Sequence, residues 1–221
     1  MSISVLEVEK SPYIGLHIVA TDSFALISHK VKEKHLKTIK DTLKVDVYRA
    51  SVCSSDLIGL FLAANSEHIV IPSACTHTIP DSLVKEHGVT IHEVGTALTA
   101  LGNNILLNDQ AALINPEFTR LEEKAISGLL GLPAVRMRLA GYATVGAVAL
   151  ATNKGCVLCK DCSQEELDAV SKAMKVPAGL ATVNSGSPYV RLGVVANSHG
   201  VIVGSETTSI ELEEILSALN F

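Results

Sequence analysis

The chain has 221 residues, of which 48% are hydrophobic and 19% are charged, so it can bury a large core and differs from disordered chains. Its formal net charge of -5 is unlike that of proteins that hold DNA or RNA mainly through phosphate contacts. The first ten residues lack the apolar core of a signal peptide, and the sequence contains no run long enough to span a membrane. We therefore expect a cytoplasmic protein that binds neither membranes nor DNA and keeps its five cysteines reduced.

A five-fold repeat runs along the sequence. Five segments each join two apolar runs through a polar turn: VATDSFALI, LAANSEHIVI, LLNDQAALI, LATNKGCVLC and VVANSHGVIV. Aligned on the turn, they place Thr21, Asn65, Asn108, Asn153 and Asn197 at equivalent positions, 44, 43, 45 and 44 residues apart. Asn tolerates the backbone conformations of tight hairpin turns, so each segment is predicted to form a β-hairpin.

Each hairpin is followed by a pattern typical of a helix. Residues 30–43 carry apolar residues at helical spacing, and a shorter helix is predicted around 80–87. Asn115 and Pro116 are the predicted N-cap and first residue of the third helix. The last two helices are predicted to begin with capping boxes, in which a Ser or Thr precedes a Glu by three residues: Ser163 with Glu166, and Thr208 with Glu211.

A third strand is predicted after each of the first four helices, in VDVYRAS, VTIHEVG, AVRMRLA and GLATVNS. The fifth unit ends at Phe221 without such a strand, whereas residues 2–8 resemble a strand that has no unit of its own. We therefore predict that the N-terminal segment completes the fifth unit and closes an α+β ring. An all-β propeller has a similar period but lacks the helices. The predicted domain is the whole chain, 1–221, with units at about 11–52, 53–96, 97–140, 141–186 and 187–221 plus 1–10.

Several segments resemble the translation initiation factor 6 family in its archaeal form. They are DLIGLFLAANSEHIVIPS at 56–73, ALGNNILLNDQAALINPE at 100–117, LATNKGCVL at 150–158, ATVNSG at 181–186 and ETTSIELEEI at 206–215. The resemblance covers nearly the whole chain in order, with Cys159-Lys160 and Glu206 as departures from the family's usual residues. It implies the pentein fold, in which five αβ units surround a pseudo-five-fold axis.

The resemblance also implies a monomer that acts by binding, with no cofactor, no metal and no catalysis. It implies docking on the large ribosomal subunit, on a ribosomal protein near the sarcin–ricin loop with a minor contact to ribosomal RNA, so that the small subunit cannot join. One alternative is a guanidine-modifying enzyme of the pentein fold, which would need a late nucleophilic cysteine, although no cysteine follows Cys162. The other alternative is a scaffold for a non-ribosomal protein.

The hairpin turns are the candidate docking surface, because pseudo-symmetry places all five at one end of the ring. Turn residues on a rigid scaffold often carry recognition. We therefore expect an exposed, ribosome-binding rim that consists of the turn asparagines and their neighbours: Asn65, Ser66, Asn108, Asp109, Asn153, Lys154, Asn197 and Ser198. The alternative is that the asparagines serve only the backbone conformation of the turns.

Three cysteines follow the spacing C-x-x-C-x-x-C, at Cys156, Cys159 and Cys162, which is compatible with metal and iron–sulfur sites. The first two lie three residues apart on a predicted strand, so their side chains point to opposite faces. Cys159 also aligns with apolar strand positions in the other units. We therefore predict core thiols and no metal.

Other polar and glycine positions have less specific interpretations. His68, His92 and His199 are interpreted as surface or turn residues. Six lysines between positions 30 and 44 give the first helix a basic character, either as a solvated face or as a patch near ribosomal RNA. Four glycines at the start of the hairpins are predicted to allow close backbone approach near the axis: Gly15, Gly59, Gly102 and Gly146.

Overall fold

A computed structural model describes residues 2–221 and shows five three-stranded sheets. In each sheet an antiparallel hairpin is extended by a third strand that runs parallel to the hairpin's second strand. A parallel neighbour requires a crossover connection, and in the first four units the predicted helix supplies it. The five sheets stay separate and are arranged as a five-fold pseudo-symmetric ring, not as one closed barrel.

The bounds of the elements repeat from unit to unit. The chain begins with β1 (Ser2–Leu6) and a 3-10 turn (Ile14–Leu16), and the first unit continues with β2 (Ile18–Ala20), β3 (Phe24–Ile27), α1 (Glu33–Leu43) and β4 (Asp46–Arg49). The second unit contains α2 (Ile58–Phe61), β5 (Ala63–Ala64), β6 (His68–Pro72), α3 (Asp81–His87) and β7 (Thr90–Val94). The third unit contains α4 (Leu101–Asn104), β8 (Ile105–Leu107), β9 (Ala112–Ile114), α5 (Arg120–Leu130) and β10 (Ala134–Arg136).

The last two units follow the same plan. The fourth contains α6 (Val145–Val148), β11 (Ala149–Ala151), β12 (Cys156–Cys159), α7 (Gln164–Met174) and β13 (Ala178–Ala181). The fifth contains α8 (Val190–Gly193), β14 (Val194–Ala196), β15 (Gly200–Gly204) and α9 (Ser209–Ala218). Among residues 2–221, no helix combines the length and the apolar character that a membrane crossing would require.

The N-terminal strand completes the fifth sheet, as the sequence predicted. β1 pairs in parallel with β15, with Ser2 opposite Gly200 and Leu6 opposite Gly204. It therefore occupies the place that β4, β7, β10 and β13 occupy in the other sheets. The first and the last strand of the chain therefore pair in one sheet, and the edge of β15 that would otherwise be open is covered.

Two of the three predicted helix starts are confirmed. Capping boxes at Ser163 and Thr208 begin α7 and α9. The prediction for the third helix is wrong, because α5 is capped by Thr119, whose Oγ1 accepts a hydrogen bond from the N–H of Glu122. Asn115 is instead buried in the preceding turn, where its amide donates to Asn104 Oδ1 over 2.7 Å.

Glycines pack the units against one another around the axis. A Cβ atom on Gly15 would overlap the backbone carbonyl of Arg191, and one on Gly59 would overlap that of Gly15. The same relation joins Gly102 to Gly59, and Gly146 to Gly102. Each contact crosses from one unit to its neighbour, so the close approach that was predicted for these glycines is confirmed.

Two of the five cysteines form a disulfide, so the prediction of five reduced thiols is wrong for this pair. Cys53 lies in the turn after β4, and Cys75 lies in the loop after β6. Their Cα atoms are 4.4 Å apart, which is within the range that a disulfide spans. The sequence does not reveal this approach, because the pairing depends on how the loop folds back over the turn.

Candidate functional site

The five hairpin turns lie together at one end of the ring, which we call the turn end and define by residues 21–24, 65–68, 108–111, 152–155 and 197–200. In the second, third and fifth turns, an Asn Oδ1 accepts the N–H of the residue three positions later. In the first and fourth turns, the Oγ1 of Thr21 and of Thr152 accepts the same bond. Thr152 is therefore the equivalent residue, and the sequence alignment on Asn153 was displaced by one position.

The turn asparagines are buried and connect neighbouring units. The amide of Asn65 donates to the backbone carbonyl of Asn108 over 3.1 Å. The amide of Asn108 in turn reaches the carbonyls of Thr152 and Met174, at 3.2 and 3.0 Å. The amide of Asn197 donates to the carbonyl of Thr21 over 2.9 Å, across the junction between the last unit and the first. The expectation of exposed turn asparagines is therefore wrong for these three residues, because their side chains bond to the backbone of the next unit. Asn153 is half-buried.

The second residue of each turn is half-buried. These five residues form a second polar layer: Asp22, Ser66, Asp109, Asn153 and Ser198. Ser66 donates to Asp109 through its backbone N–H and its hydroxyl group, at 2.8 and 2.7 Å. Ser198 donates to Asp22 in the same way, at 2.6 and 2.7 Å. The amide of Asn153 bridges the two carboxylates, with Nδ2 at 2.6 Å from Asp109 and 2.7 Å from Asp22. The polar side chains of this layer therefore form hydrogen bonds with one another at the turn end of the ring.

Asp22 was missed as a member of this layer by the sequence reasoning. The sequence contained this information, because Asp22 follows Thr21 in the first turn just as Asp109 follows Asn108 in the third turn. Of the eight predicted site residues, only Lys154 is exposed, and its Nζ lies 5.2 Å from the centroid of the Phe221 ring. Ser66, Asp109, Asn153 and Ser198 are half-buried.

The opposite end of the ring, which we call the far end, has a different chemistry. It carries the connections that follow the third strands, because those strands run parallel to the strands that leave the turn end. Tyr142 and Tyr189 lie there with ring centroids 6.1 Å apart in an edge-to-face arrangement, and Tyr189 is 39% exposed. The far end therefore offers aromatic surface, whereas the turn end offers polar groups that are already paired.

A narrow channel follows the axis between the two ends. The first hairpin strand of every unit lines it, and the lining side chains are mostly Ala, Val, Ile and Leu. The exception is Arg191, which occupies in the fifth unit the position that glycine occupies in the other four. Its Nη1 donates to the carbonyl of Gly59 over 2.7 Å, across the ring. Burial lowers the pKa of Arg191 to about 10, so the guanidinium is still charged at neutral pH.

The remaining candidate residues form no metal site in the part of the chain that the structure describes. Cys159 Sγ and Cys162 Sγ lie 3.6 Å apart in the core, and burial raises the pKa of Cys156 to about 12. No group of three or more potential ligands occurs within residues 2–221. His68 and His92, which the sequence did not bring together, are hydrogen-bonded across β6 and β7 at 3.0 Å.

Comparison with known proteins gives a consistent result over the full length. Residues 3–218 match the eIF-6 family. The chain is 41% identical to translation initiation factor 6 of Pyrococcus abyssi over 99% of both chains, and 40% identical to that of Pyrococcus horikoshii over 100% of both. It is 33% identical to translation initiation factor 6 of Thermoplasma acidophilum over 96% of both chains. The matched region extends from the strand that closes the ring to the last helix, and the chain therefore belongs to the eIF-6 family.

Proposed function

We propose that this protein is a translation initiation factor that binds the large ribosomal subunit and prevents the small subunit from joining it. The observation that carries the proposal is the full-length similarity to relatives named translation initiation factor 6. The mechanism is steric, because a body bound on the joining face of one subunit excludes the other. It requires no cofactor and no reaction step, and the protein acts in the cytoplasm as a monomer.

The ring supports this proposal as a pre-organised binding body. Hydrogen bonds and glycine contacts fix each unit to the next, so little conformational freedom is lost when a partner binds. The accessible surface is 8920 Å², and a specific interface needs about 800 Å² from each partner. One end of the ring is large enough to provide that area.

The proposed partner is a ribosomal protein near the sarcin–ricin loop, with only a minor contact to ribosomal RNA. The net charge of -5 opposes extensive contact with phosphates. The lysines of α1 are partly neutralised, since Lys37 pairs with Asp41 and Lys40 pairs with Asp46. A protein-dominated interface agrees best with these charges.

The docking surface proposed from the sequence is the turn end. With the buried asparagines removed from the set, its accessible members are Ser66, Asp109, Asn153, Lys154 and Ser198. Apart from Lys154, these side chains are held in a fixed arrangement by hydrogen bonds to one another or to Asp22, which favours specific recognition. The far end, with Tyr142 and Tyr189, is the competing surface.

The function is tested by co-sedimentation with purified large subunits and by a subunit-joining assay. We expect the protein to sediment with large subunits and not with small subunits. At saturating concentration it should suppress the formation of joined ribosomes. Normal joining in the presence of saturating protein would contradict the proposed function.

The docking surface is tested with one variant at each end. Lys154→Glu at the turn end should weaken binding to the large subunit by about tenfold, which corresponds to about 1.4 kcal/mol. Tyr189→Ala at the far end should leave binding unchanged, and both variants should keep the melting temperature of the wild type. The reverse pattern would move the docking surface to the far end while leaving the proposed function intact.

A further inference from the structure

Arg191 is a buried cation without an anionic partner. It lies in the channel wall, and the structure gives its guanidinium one hydrogen bond, to the neutral carbonyl of Gly59. An arginine has five N–H donors, so most of them remain available. None of the ion pairs formed by residues 2–221 involves Arg191. A buried charge in this condition is costly unless something else in the channel compensates it.

The carboxylates nearest to the channel do not fill this role. Asp22 and Asp109 stand at the mouth on the turn end, where Ser and Asn side chains occupy their oxygen atoms. Between the mouth and the section that contains Arg191 lies a ring of small and apolar side chains that lines both: Ala20, Ala64, Leu107, Ala151 and Ala196. The Arg191 guanidinium and the two carboxylates therefore lie in different sections of the channel, separated by this ring of side chains.

The space beside Arg191 has the size of a small anion. The cavity measures about 30 Å³ and is lined by Arg191 together with the inner strands of all five units. A single water molecule needs about 10–15 Å³ of cavity volume, so the space has room for about two waters or one small anion. Among the lining residues only Arg191 carries a charge, and this positive charge disfavours a cation beside it.

We propose that the channel binds a small inorganic anion of about the size of chloride, held by the free N–H groups of Arg191. The charge of the anion compensates the guanidinium, and its size matches the cavity. Glycine stands at this position in the other four units, so the site is specific to the fifth unit and breaks the pseudo-symmetry of the ring. The anion site does not depend on ribosome binding, so the two proposals are tested separately.

The first test is the melting temperature of the full chain in sodium chloride, sodium bromide and sodium gluconate at equal ionic strength. Gluconate is too large for the cavity and serves as the reference anion. We expect chloride and bromide to raise the melting temperature by about 3–6 °C for each tenfold increase above the dissociation constant, because they bind only the folded state. Identical curves in the three salts would overturn the proposal.

Arg191→Gly introduces the residue that the other units carry and should abolish the difference between chloride and gluconate. Arg120→Ala, which removes an exposed arginine from α5, should retain it. A chloride effect that persists in Arg191→Gly would place the anion elsewhere and overturn the assignment.

A second measurement does not depend on the folding of a variant. In a crystal of the wild-type protein grown with bromide, we expect an anomalous peak within hydrogen-bonding distance of the Arg191 guanidinium. Density for water alone at that position, at a bromide concentration that saturates the thermal effect, would overturn the proposal.

Discussion

Asn108 holds three parts of the chain together through one side chain. Its Nδ2 donates to the carbonyls of Thr152 and Met174, and its Oδ1 accepts from the N–H groups of Gln110 and Ala111. The side chain is buried, so the groups that lose it find no water in exchange. The side chain therefore contributes both to the turn and to the contact between the third and fourth units.

Asn108→Ala should reduce the free energy of unfolding by about 2–4 kcal/mol, because several buried backbone groups lose their partners. Urea denaturation measures the change. His199→Ala, in the exposed part of an equivalent turn, is the control and should change stability by less than about 0.5 kcal/mol. A loss below about 1 kcal/mol for Asn108→Ala would show that the amide bonds contribute little.

Two glycine substitutions test how tightly the units pack around the axis. Gly102→Ala places a methyl group against the carbonyls of Gly59 and Leu62, so we expect a loss of about 3 kcal/mol or more. Gly128→Ala in α5 faces open space and should stabilise the protein by about 0.5–1 kcal/mol. If the two variants had equal unfolding free energies, the tight packing of the axis would be contradicted.

The roles of some single residues were predictable from the sequence, and those of others were not. The role of Gly15, Gly59, Gly102 and Gly146 was predictable, because glycine repeated at one position indicates close backbone approach. The turn register in the fourth unit was not, because Thr152 accepts the same turn hydrogen bond as an asparagine and the next residue happens to be Asn. The burial of the asparagines depends on the neighbouring unit, which the sequence does not place.

Helix α9 begins with a capping box whose glutamate also holds a distant turn. Glu211 accepts hydrogen bonds from the N–H of Thr208, from the Oγ1 of Thr182 and from the N–H of Gly186. Burial acts to raise the pKa of Glu211, but these hydrogen bonds together outweigh it and lower the pKa below its usual value. The charged form is therefore favoured in the folded protein.

The lowered pKa of Glu211 predicts a dependence of stability on pH. Its contribution is fully present above the unfolded-state pKa and is lost as the pH falls through the lower folded-state pKa. Glu211→Gln should therefore be less stable than the wild type at pH 7, with a gap that narrows on acidification below about pH 4.5. Thermal unfolding across that range measures the gap. A gap that stays constant with pH would contradict the prediction.

The regular hairpins, the longer helices and the third strands were predictable from the periodicity of the sequence. The start of α5 was not, because Asn115-Pro116 and Thr119 are both good helix starts in sequence and only the tertiary bond from Asn115 to Asn104 decides between them. The short helices α2, α4, α6 and α8 were not predicted either. Each is a single turn of four residues, too short to produce a periodic pattern.

Closure of the ring depends on a strand that is not continuous with its own unit. In the first four units, two or three residues connect the helix to the third strand. In the fifth unit, Leu219, Asn220 and Phe221 follow α9, and β1 begins at Ser2. A direct bond from Phe221 to Met1 would thus give a connection of nearly the same length as in the other units.

A circular permutant that begins at Glu7, joins Phe221 directly to Met1 and ends at Leu6 should fold with a melting temperature close to that of the wild type. A truncated chain that lacks residues 1–6 exposes the edge of β15 and should be strongly destabilised or aggregate. Circular dichroism and size-exclusion chromatography compare the two. A truncated chain as stable as the permutant would show that the ring does not need the N-terminal strand.

The five-unit ring and its closure could be predicted by counting units and strands in the sequence. The choice of docking end did not, because both ends are formed by equivalent segments of all five units. The structure shows paired polar groups at one end and an exposed Tyr189 at the other, which sharpens the choice. The position of Arg191 could be read from the sequence, because it lies six residues before Asn197 just as Gly59 lies six residues before Asn65. Its burial in the channel wall without an ion-pair partner could not, because that depends on how the five units meet.

A cryo-electron microscopy reconstruction of the protein mixed with purified large ribosomal subunits would show directly whether and where the ring binds. The proposal predicts a ring-shaped density on the face that the small subunit covers in the joined ribosome, with one end of the ring against a ribosomal protein. A ring bound only to the opposite, solvent-facing side of the subunit, or no ring at saturating concentration, would contradict it.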